Sequence, residues 1–437
     1  MNMSITHFKL FSASLKFLVV GALILSCNTR LSAQNINYAR KVIADLCAPE
    51  MYGRGYVNKG DYIAARYIRE ELKTAKVKSF TPEYFQDFGF PVSVFADEVS
   101  MVIDNQSLIP GEHFIVAAGC PPVDGIFKLH WVDSAMIDNQ SLFNQIEKQI
   151  SRQTFLVFGD VKNQNLIYPE RLKQIMLNPF KARGIIHANE KKLTWSVATK
   201  WDAFATIFVK DGLLKPYQTS VKLIITPQIK SHNTQNVIAY VEGSKYKDSF
   251  IVFTAHYDHL GMMGRDAIFP GANDNASGVA MLLDLVKYYS KNKPNYSIAF
   301  IFFAGEEAGL YGSYFYTENP LFPLKQISLL LNLDLMGTGD KGLTAVNATV
   351  FPDEFQELQL VNMDGDYLPT IASRGKAQNS DHYYFTENGV KSFFFYLMGD
   401  YHFYHDIDDK ADTLPLSKYN EAFKLIQQFT DNYQKAE

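Results

Sequence analysis

From Asn236 onward the chain alternates uninterrupted apolar runs with amphipathic ones, a rhythm that predicts an α/β fold. Residues 237–241, 250–254, 297–303 (SIAFIFF), 327–333 (ISLLLNL), 343–350 and 391–397 read as strands. Between and after them, 276–289, 309–317, 354–363, 381–388 and 416–435 read as helices. A strand apolar along its whole length is covered on both faces. The expected core is therefore a mostly parallel mixed sheet with helices on each side.

Upstream, 35–47 has helical spacing of Tyr38, Val42, Ile43 and Leu46. A glycine-punctuated loop (51–61) leads to a second helix, 62–76, with Ile63, Ala64, Tyr67, Ile68 and Leu72 as its buried stripe. The texture changes between 96 and 232. Short strands at 154–158, 184–188, 205–209 and 221–225 alternate with polar loops, with one helical piece at 169–177. This predicts a smaller β-rich α/β domain, 96–232, inserted into a main domain built from 34–95 and 233–437. All three tryptophans, Trp131, Trp195 and Trp201, fall within the insertion; the expectation is that they form its own core, and the alternative is that the insertion walls a site at the edge of the main sheet.

The first 33 residues stand apart. Lys9 and Lys16 precede the short apolar run 17–26 (FLVVGALILS), the pattern of an export signal too short to span a bilayer. Leu31-Ser32-Ala33 is an acceptable cleavage site. Ile24-Leu25-Ser26-Cys27 is a competing lipobox, and Cys27 is then a lipid anchor, the one expected link to a membrane. The expected setting is export from a bacterial cell: periplasmic, extracellular, or anchored to the outer membrane. Without residues 1–33 the net charge moves from −4 to −7, a balance that argues against a nucleic-acid partner. Cys47 and Cys120 remain, with no CxxC, so sulfur ligation of a metal is not expected; an oxidising compartment leaves them free to pair.

Five phrases carry candidate chemistry. They are AHYDHLG (255–261), GANDNASGVA (271–280), AGEEAGLYGS (304–313), NLDLMG (332–337) and FYHDIDD (403–409). His256 and Asp258 lie two apart just beyond a strand, on one face of extended backbone. Asp274 opens a helix, Glu306-Glu307 follow an apolar strand, Asp334 closes another, and His405 lies in a loop. Each has a commoner explanation in isolation, as a surface pair, a helix cap or a turn residue. Successive strand ends that deliver imidazoles and carboxylates without thiols point jointly to zinc or a similar divalent cation. Carboxylates so crowded suggest two cations sharing one bridging ligand.

In these phrases the chain resembles the di-zinc aminopeptidase family that includes bacterial leucyl aminopeptidase, aminopeptidase Y and glutamate carboxypeptidase. The likeness covers about 38–80 and 233–434, with all five phrases in order. The insertion resembles a protease-associated domain, by its position and by KARGIIHAN (181–189). The resemblance implies the zinc exopeptidase fold and two zinc ions per chain. His256 and Asp334 would hold one, Glu307 and His405 the other, and Asp274 would bridge. It further implies that Glu306 is the general base and that Asp258 orients His256. The implied activity is an exported aminopeptidase that hydrolyses N-terminal residues from peptides. The alternatives on the same fold are a single-zinc, glutaminyl-cyclase-like enzyme and a non-catalytic, receptor-like binding protein. His259 and His382 are not expected to be ligands, and His402 is passed over in favour of His405. Asp406 stands where the family usually has a small or hydroxyl residue. Tyr383, Tyr401 and Phe403 are candidate pocket residues, while 393–396 (FFFY) reads as a core strand.

Overall fold

The computed structural model describes residues 36–159, 161 and 164–436; the expected export signal, the expected cleavage site and Cys27 lie outside them. Helix Ile36–Leu46 buries Ala39, Val42, Ile43 and Leu46, and helix Gly60–Thr74 buries Ala64, Ala65, Ile68 and Leu72, the spacing of amphipathic helices.

The chain then forms β1 (Phe85–Val94), in a stretch with no predicted strand. The reason is visible in its composition: Pro91 and alternating polar residues mask an edge strand, where a sheet tolerates proline. The next strands, β2 (Val99–Ile103), β3 (Gln106–Leu108), β4 (Phe114–Val116), β5 (Val123–Val132), β6 (Thr154–Phe158), β7 (Gly184–Glu190), β8 (Ala205–Lys210) and β9 (Ser220–Ile225), make a sheet of their own. Its order is β3-β2-β9-β5-β6-β7-β8-β4, and β5 to β8 are mutually parallel. Alternate residues of β6 divide between two apolar clusters, Phe155 and Val157 in one and Leu156 and Phe158 in the other, so both faces are covered.

β10 (Gln228–Val241) returns antiparallel to β1, from Val94 opposite Gln228 to Phe85 opposite Val237. It runs unbroken through the expected change of texture at 232. It leads into the larger sheet through β11 (Tyr246–His256), the small hairpin β12 (Gly261–Met263) and β13 (Ala267–Phe269), β14 (Tyr296–Phe303), β15 (Ile327–Leu333), β16 (Gly342–Val346), β17 (Ile371–Arg374) and β18 (Ser392–Met398). The strand order is β1-β10-β14-β11-β15-β18-β16-β17, with β14, β11, β15 and β18 parallel at the centre.

Every residue of β14 is buried. On one face Phe250, Val252, Ile301 and Phe303 pack with Tyr316 of helix Tyr311–Glu318 and Phe385 of helix His382–Glu387. On the other, Phe253 lies 6.1 Å from Tyr289 of helix Gly278–Lys291. The mixed α/β architecture with helices on both faces matches the expectation. Four central strands that point the same way bring their carboxyl ends to one edge, where a ligand site belongs.

Candidate metal centre

β11 ends at His256, β14 delivers Glu306 and Glu307 after a turn, and Asp334 comes directly after β15. The turn after β14 needs Gly305, whose φ is +72° and whose missing side chain leaves room for Phe90: a Cβ would lie 2.9 Å from that ring. Asp274 sits in the irregular turn Ala272–Ser277 before helix Gly278–Lys291. Gly271 starts that turn at φ +62°, and a Cβ there would be 2.2 Å from the Asp274 carbonyl oxygen.

The sheet edge brings the predicted residues together. His256 Nε2 is 3.3 Å from Asp274 Oδ1 and 3.4 Å from Asp334 Oδ2. His405 Nε2 is 3.0 Å from Asp274 Oδ2 and 3.3 Å from Glu307 Oε2. Asp274 thus turns one oxygen to each histidine. Donor atoms of His256, Glu306 and Asp334 lie within 4.8 Å of one another, as do those of His256, Asp274 and Glu307.

The cluster is short of positive charge. Burial raises the Glu306 and Asp334 carboxyls above their usual range. Burial alone would lower His256, but Asp334 and Glu306 outweigh it and hold that imidazole well above its ordinary value. His405 is likewise lowered by burial, yet Glu307 and Asp274 bring it up to about 11. Asp334 Oδ1 is buried and accepts no hydrogen bond, a costly state for a carboxylate oxygen unless a cation meets it. Imidazole and carboxylate donors without thiols suit a borderline divalent cation such as zinc, so the residues fit a metal.

The surroundings differ from expectation in four places. Asp258 was expected to orient His256. Its backbone carbonyl lies 3.1 Å from His256 Nδ1, nearer than its carboxylate, whose Oδ1 is 3.9 Å away. The carboxylate accepts the Tyr56 hydroxyl and the N–H groups of Glu306 and Glu307, which fixes the turn bearing both glutamates. His259, set aside in the sequence, is fully buried with Nδ1 2.7 Å from Glu307 Oε1. Arg54 was not singled out at all. It is completely buried, and its guanidinium donates to the carbonyls of Tyr257 (2.9 Å), Leu46 (3.0 Å), Pro270 (2.6 Å), Gly271 (2.7 Å) and Asp274 (3.2 Å). Its one sequence signal was an arginine between two glycines in a loop (GRG). The Asp409 carboxylate then pins the other side of the Asp274 turn, accepting from Asn273 N and Asp274 N.

Fourth, the cavity of about 230 Å³ at the site is lined by Phe394, Tyr396, Tyr404, Arg374 and Asn379 together with the clustered acids and histidines, not by Tyr383, Tyr401 or Phe403. β18 alternates: Phe393 and Phe395 enter the core, while Phe394 and Tyr396 face the cavity. Tyr401 is a strut, with its hydroxyl 3.0 Å from Asp409 Oδ1. His382 is buried beside Phe394. Cys47 and Cys120 are both free thiols.

Residues 236–430, which contain all five phrases, match Peptidase family M28. This stretch is a peptidase family M28 domain. A probable zinc metalloprotease of Pyricularia oryzae is 39% identical over 111 residues, 24% of this chain and 22% of that one. A vacuolar membrane protease of Candida glabrata is 27% identical over 219 residues, 46% of this chain and 22% of that protein. The chain spans about a quarter of the length of the curated relatives it matches. Among solved structures, a zinc aminopeptidase from Bacillus subtilis superposes with a TM-score of 0.66 at 18% identity, over 91% of this chain and 94% of that one, a likeness of fold.

The relatives of the M28 domain also correct the expected location. They include vacuolar membrane proteases of fungi, which overturns the reading of a protein exported from a bacterial cell. Among the described residues no helix is long and apolar enough to cross a membrane.

Proposed function

We propose that the M28 domain is a zinc-dependent exopeptidase acting as an aminopeptidase, with two zinc ions per chain. The observation that carries this is the division of Asp274, one oxygen toward His256 and Asp334, the other toward His405 and Glu307. His256 and Asp334 would hold one ion, Glu307 and His405 the second, and Asp274 both. Zinc, when bound, polarises a carbonyl and makes a water acidic near neutral pH.

The remaining work falls to the chain's own groups. Glu306 lines the cavity without being needed to complete either half of the divided set, so its carboxylate is placed to take a proton from the attacking water and return it to the leaving amine. Asp258 holds the Glu306 and Glu307 backbone still while that proton moves. A cavity of about 230 Å³ is below the roughly 300–1,000 Å³ typical of drug-sized ligand sites, and suits the end of a peptide rather than a folded chain. Phe394, Tyr396 and Tyr404 supply apolar walls, and the carboxylates favour a cationic α-amine.

A second reading has one observation in its favour. Arg374 lines the same cavity, and a guanidinium recognises a carboxylate, as an exopeptidase working from the other peptide end requires. The test is zinc content by elemental analysis together with cleavage of matched free, N-acetylated and C-amidated peptides. Two zinc ions and loss of cleavage on N-acetylation support the aminopeptidase. Loss on C-amidation alone establishes the second reading, and a protein that holds zinc but cleaves none of them overturns both.

A further inference from the structure

His405 reaches the metal cluster from a loop, Tyr401–Asp409, that no strand or helix supports. Its backbone is in the left-handed region, φ +54°, which a residue with a side chain adopts only when its surroundings enforce it. Those surroundings belong to the second sheet. The link between β7 and β8 passes beside the loop, and there the Trp195 carbonyl accepts from His405 Nδ1 at 3.0 Å while the Trp195 N–H donates to the His405 carbonyl at 2.9 Å. Trp195 is itself buried and anchored: Nε1 donates to the Val116 carbonyl of β4 at 3.0 Å, and the ring lies 4.7 Å from Phe269 and 5.8 Å from Phe95.

Two further contacts fasten the loop. Lys192 Nζ donates to the His402 carbonyl at 2.8 Å and pairs with Asp406 at 3.2 Å. Asp406, the departure from the family pattern, also accepts from the N–H of Asp408 at 3.0 Å and so shapes the loop around His405. Ile407 packs against the apolar cluster of the second sheet. We propose that the Lys192–Trp195 segment of the second sheet is a positioning element of the metal centre, which fixes the tautomer and direction of His405 so that Nε2 faces Asp274 and Glu307. The inference rests on the two-zinc reading above. It makes the second sheet part of the metal site rather than a separate module, and it explains the charge at Asp406 through its partner Lys192.

The test uses the full chain and zinc affinities from chelator competition. Groups that orient a metal-binding histidine typically contribute 10- to 100-fold to affinity. Trp195→Ala is expected to weaken one zinc, the one lost in His405→Ala, by about that factor, leaving the other unchanged. Lys192→Ala, a change at a half-exposed side chain, is expected to weaken the same zinc several-fold, and Lys192→Arg to restore it. Phe158→Leu, on the opposite face of the second sheet, is the control: it should lower the melting temperature with both affinities intact. Should Trp195→Ala fail to fold, Lys192→Ala and its rescue decide alone. A wild type that holds zinc and cleaves peptides, with the folded variants within twofold of it, overturns the positioning role and leaves the proposed function standing. Equal weakening in Phe158→Leu also overturns it, by showing a general loss of stability. A wild type that takes up no zinc overturns both.

Discussion

Two sets of four parallel strands run through this chain, and among the described residues only one of them ends in a cluster of imidazoles and carboxylates. In β14-β11-β15-β18 the carboxyl ends carry His256, Glu306, Glu307 and Asp334; in β5-β6-β7-β8 no such cluster forms among the described residues. Yet each set has a strand with an aspartate immediately after it, Asp334 after β15 and Asp133 after β5. Asp133 is consumed locally. Its side chain accepts the Met136 N–H at 2.8 Å and opens helix Ser134–Asp138. Asp334 precedes Leu335, at φ +55°, and no helix starts there, so no N–H array competes for its oxygens and one of them stays unpartnered. A carboxylate at a strand end is therefore not a signal by itself. The next few residues of the chain decide whether it caps a helix or is left for a cation.

The largest way to break this contrast is Asp274→Ala. It removes a donor from both halves of the cluster, so turnover is expected to vanish, at least one zinc to be lost, and the melting temperature to fall, because a metal bound only by the folded state adds stability. Two tightly held zinc ions in this variant would refute the bridging role. Glu306→Gln separates chemistry from metal binding. The amide keeps the shape but cannot take a proton, so kcat is expected to fall by about 10²–10⁴ with zinc content unchanged. Retention of more than half of wild-type kcat would remove Glu306 from that role.

How far these residues were legible depends on what kind of group does the work. His256, Glu306, Glu307 and Asp334 were readable because each follows an apolar run that the sequence displays, and Asp274 and His405 because a carboxylate and an imidazole stand out in the turn and the loop that bring them to the same edge. Trp195 was invisible because its carbonyl acts, and a carbonyl leaves no trace in residue identity. β1 was hidden by Pro91 and its polar neighbours. The cavity wall was misread for a different reason: four successive aromatics in 393–396 conceal the two-residue alternation that sends Phe394 and Tyr396 outward and Phe393 and Phe395 inward. Arg54 lay in a loop whose only visible feature was glycine.

Arg54 sharpens the comparison from the side of stability, since the polar edge needs a scaffold that the other sheet does not. Replacement by Met leaves several buried carbonyls without a donor, at about 1–3 kcal/mol for each that water cannot reach. The expected loss is roughly 3 kcal/mol or more in urea unfolding. Lys is not expected to rescue it, because a single ammonium cannot span the five carbonyls that the guanidinium fork reaches. A change below about 1 kcal/mol would mean that water replaces the guanidinium without difficulty.

The smallest expected effect tests the contrast most directly. Asp133 and Asp334 are the same residue type at the same place relative to a parallel strand, yet one starts a helix and the other is left for a cation. Asp133→Ala should therefore cost only a helix cap, about 0.5–2 kcal/mol, and the helix it opens is short, with Ile137 as its buried residue. Zinc affinity, kcat and KM should stay at wild-type values, because the Asp133 side chain is engaged by the Met136 N–H within its own helix. Asp334→Ala should do the reverse, lowering zinc content and turnover while the metal-free protein unfolds at the same urea concentration as the metal-free wild type or a higher one, since a buried carboxylate crowded among other acids, with one oxygen unpartnered, has been removed. Should Asp133→Ala change zinc affinity, or Asp334→Ala weaken the metal-free protein as much as a lost cap does, then position beside a succeeding helix does not separate the two strand ends.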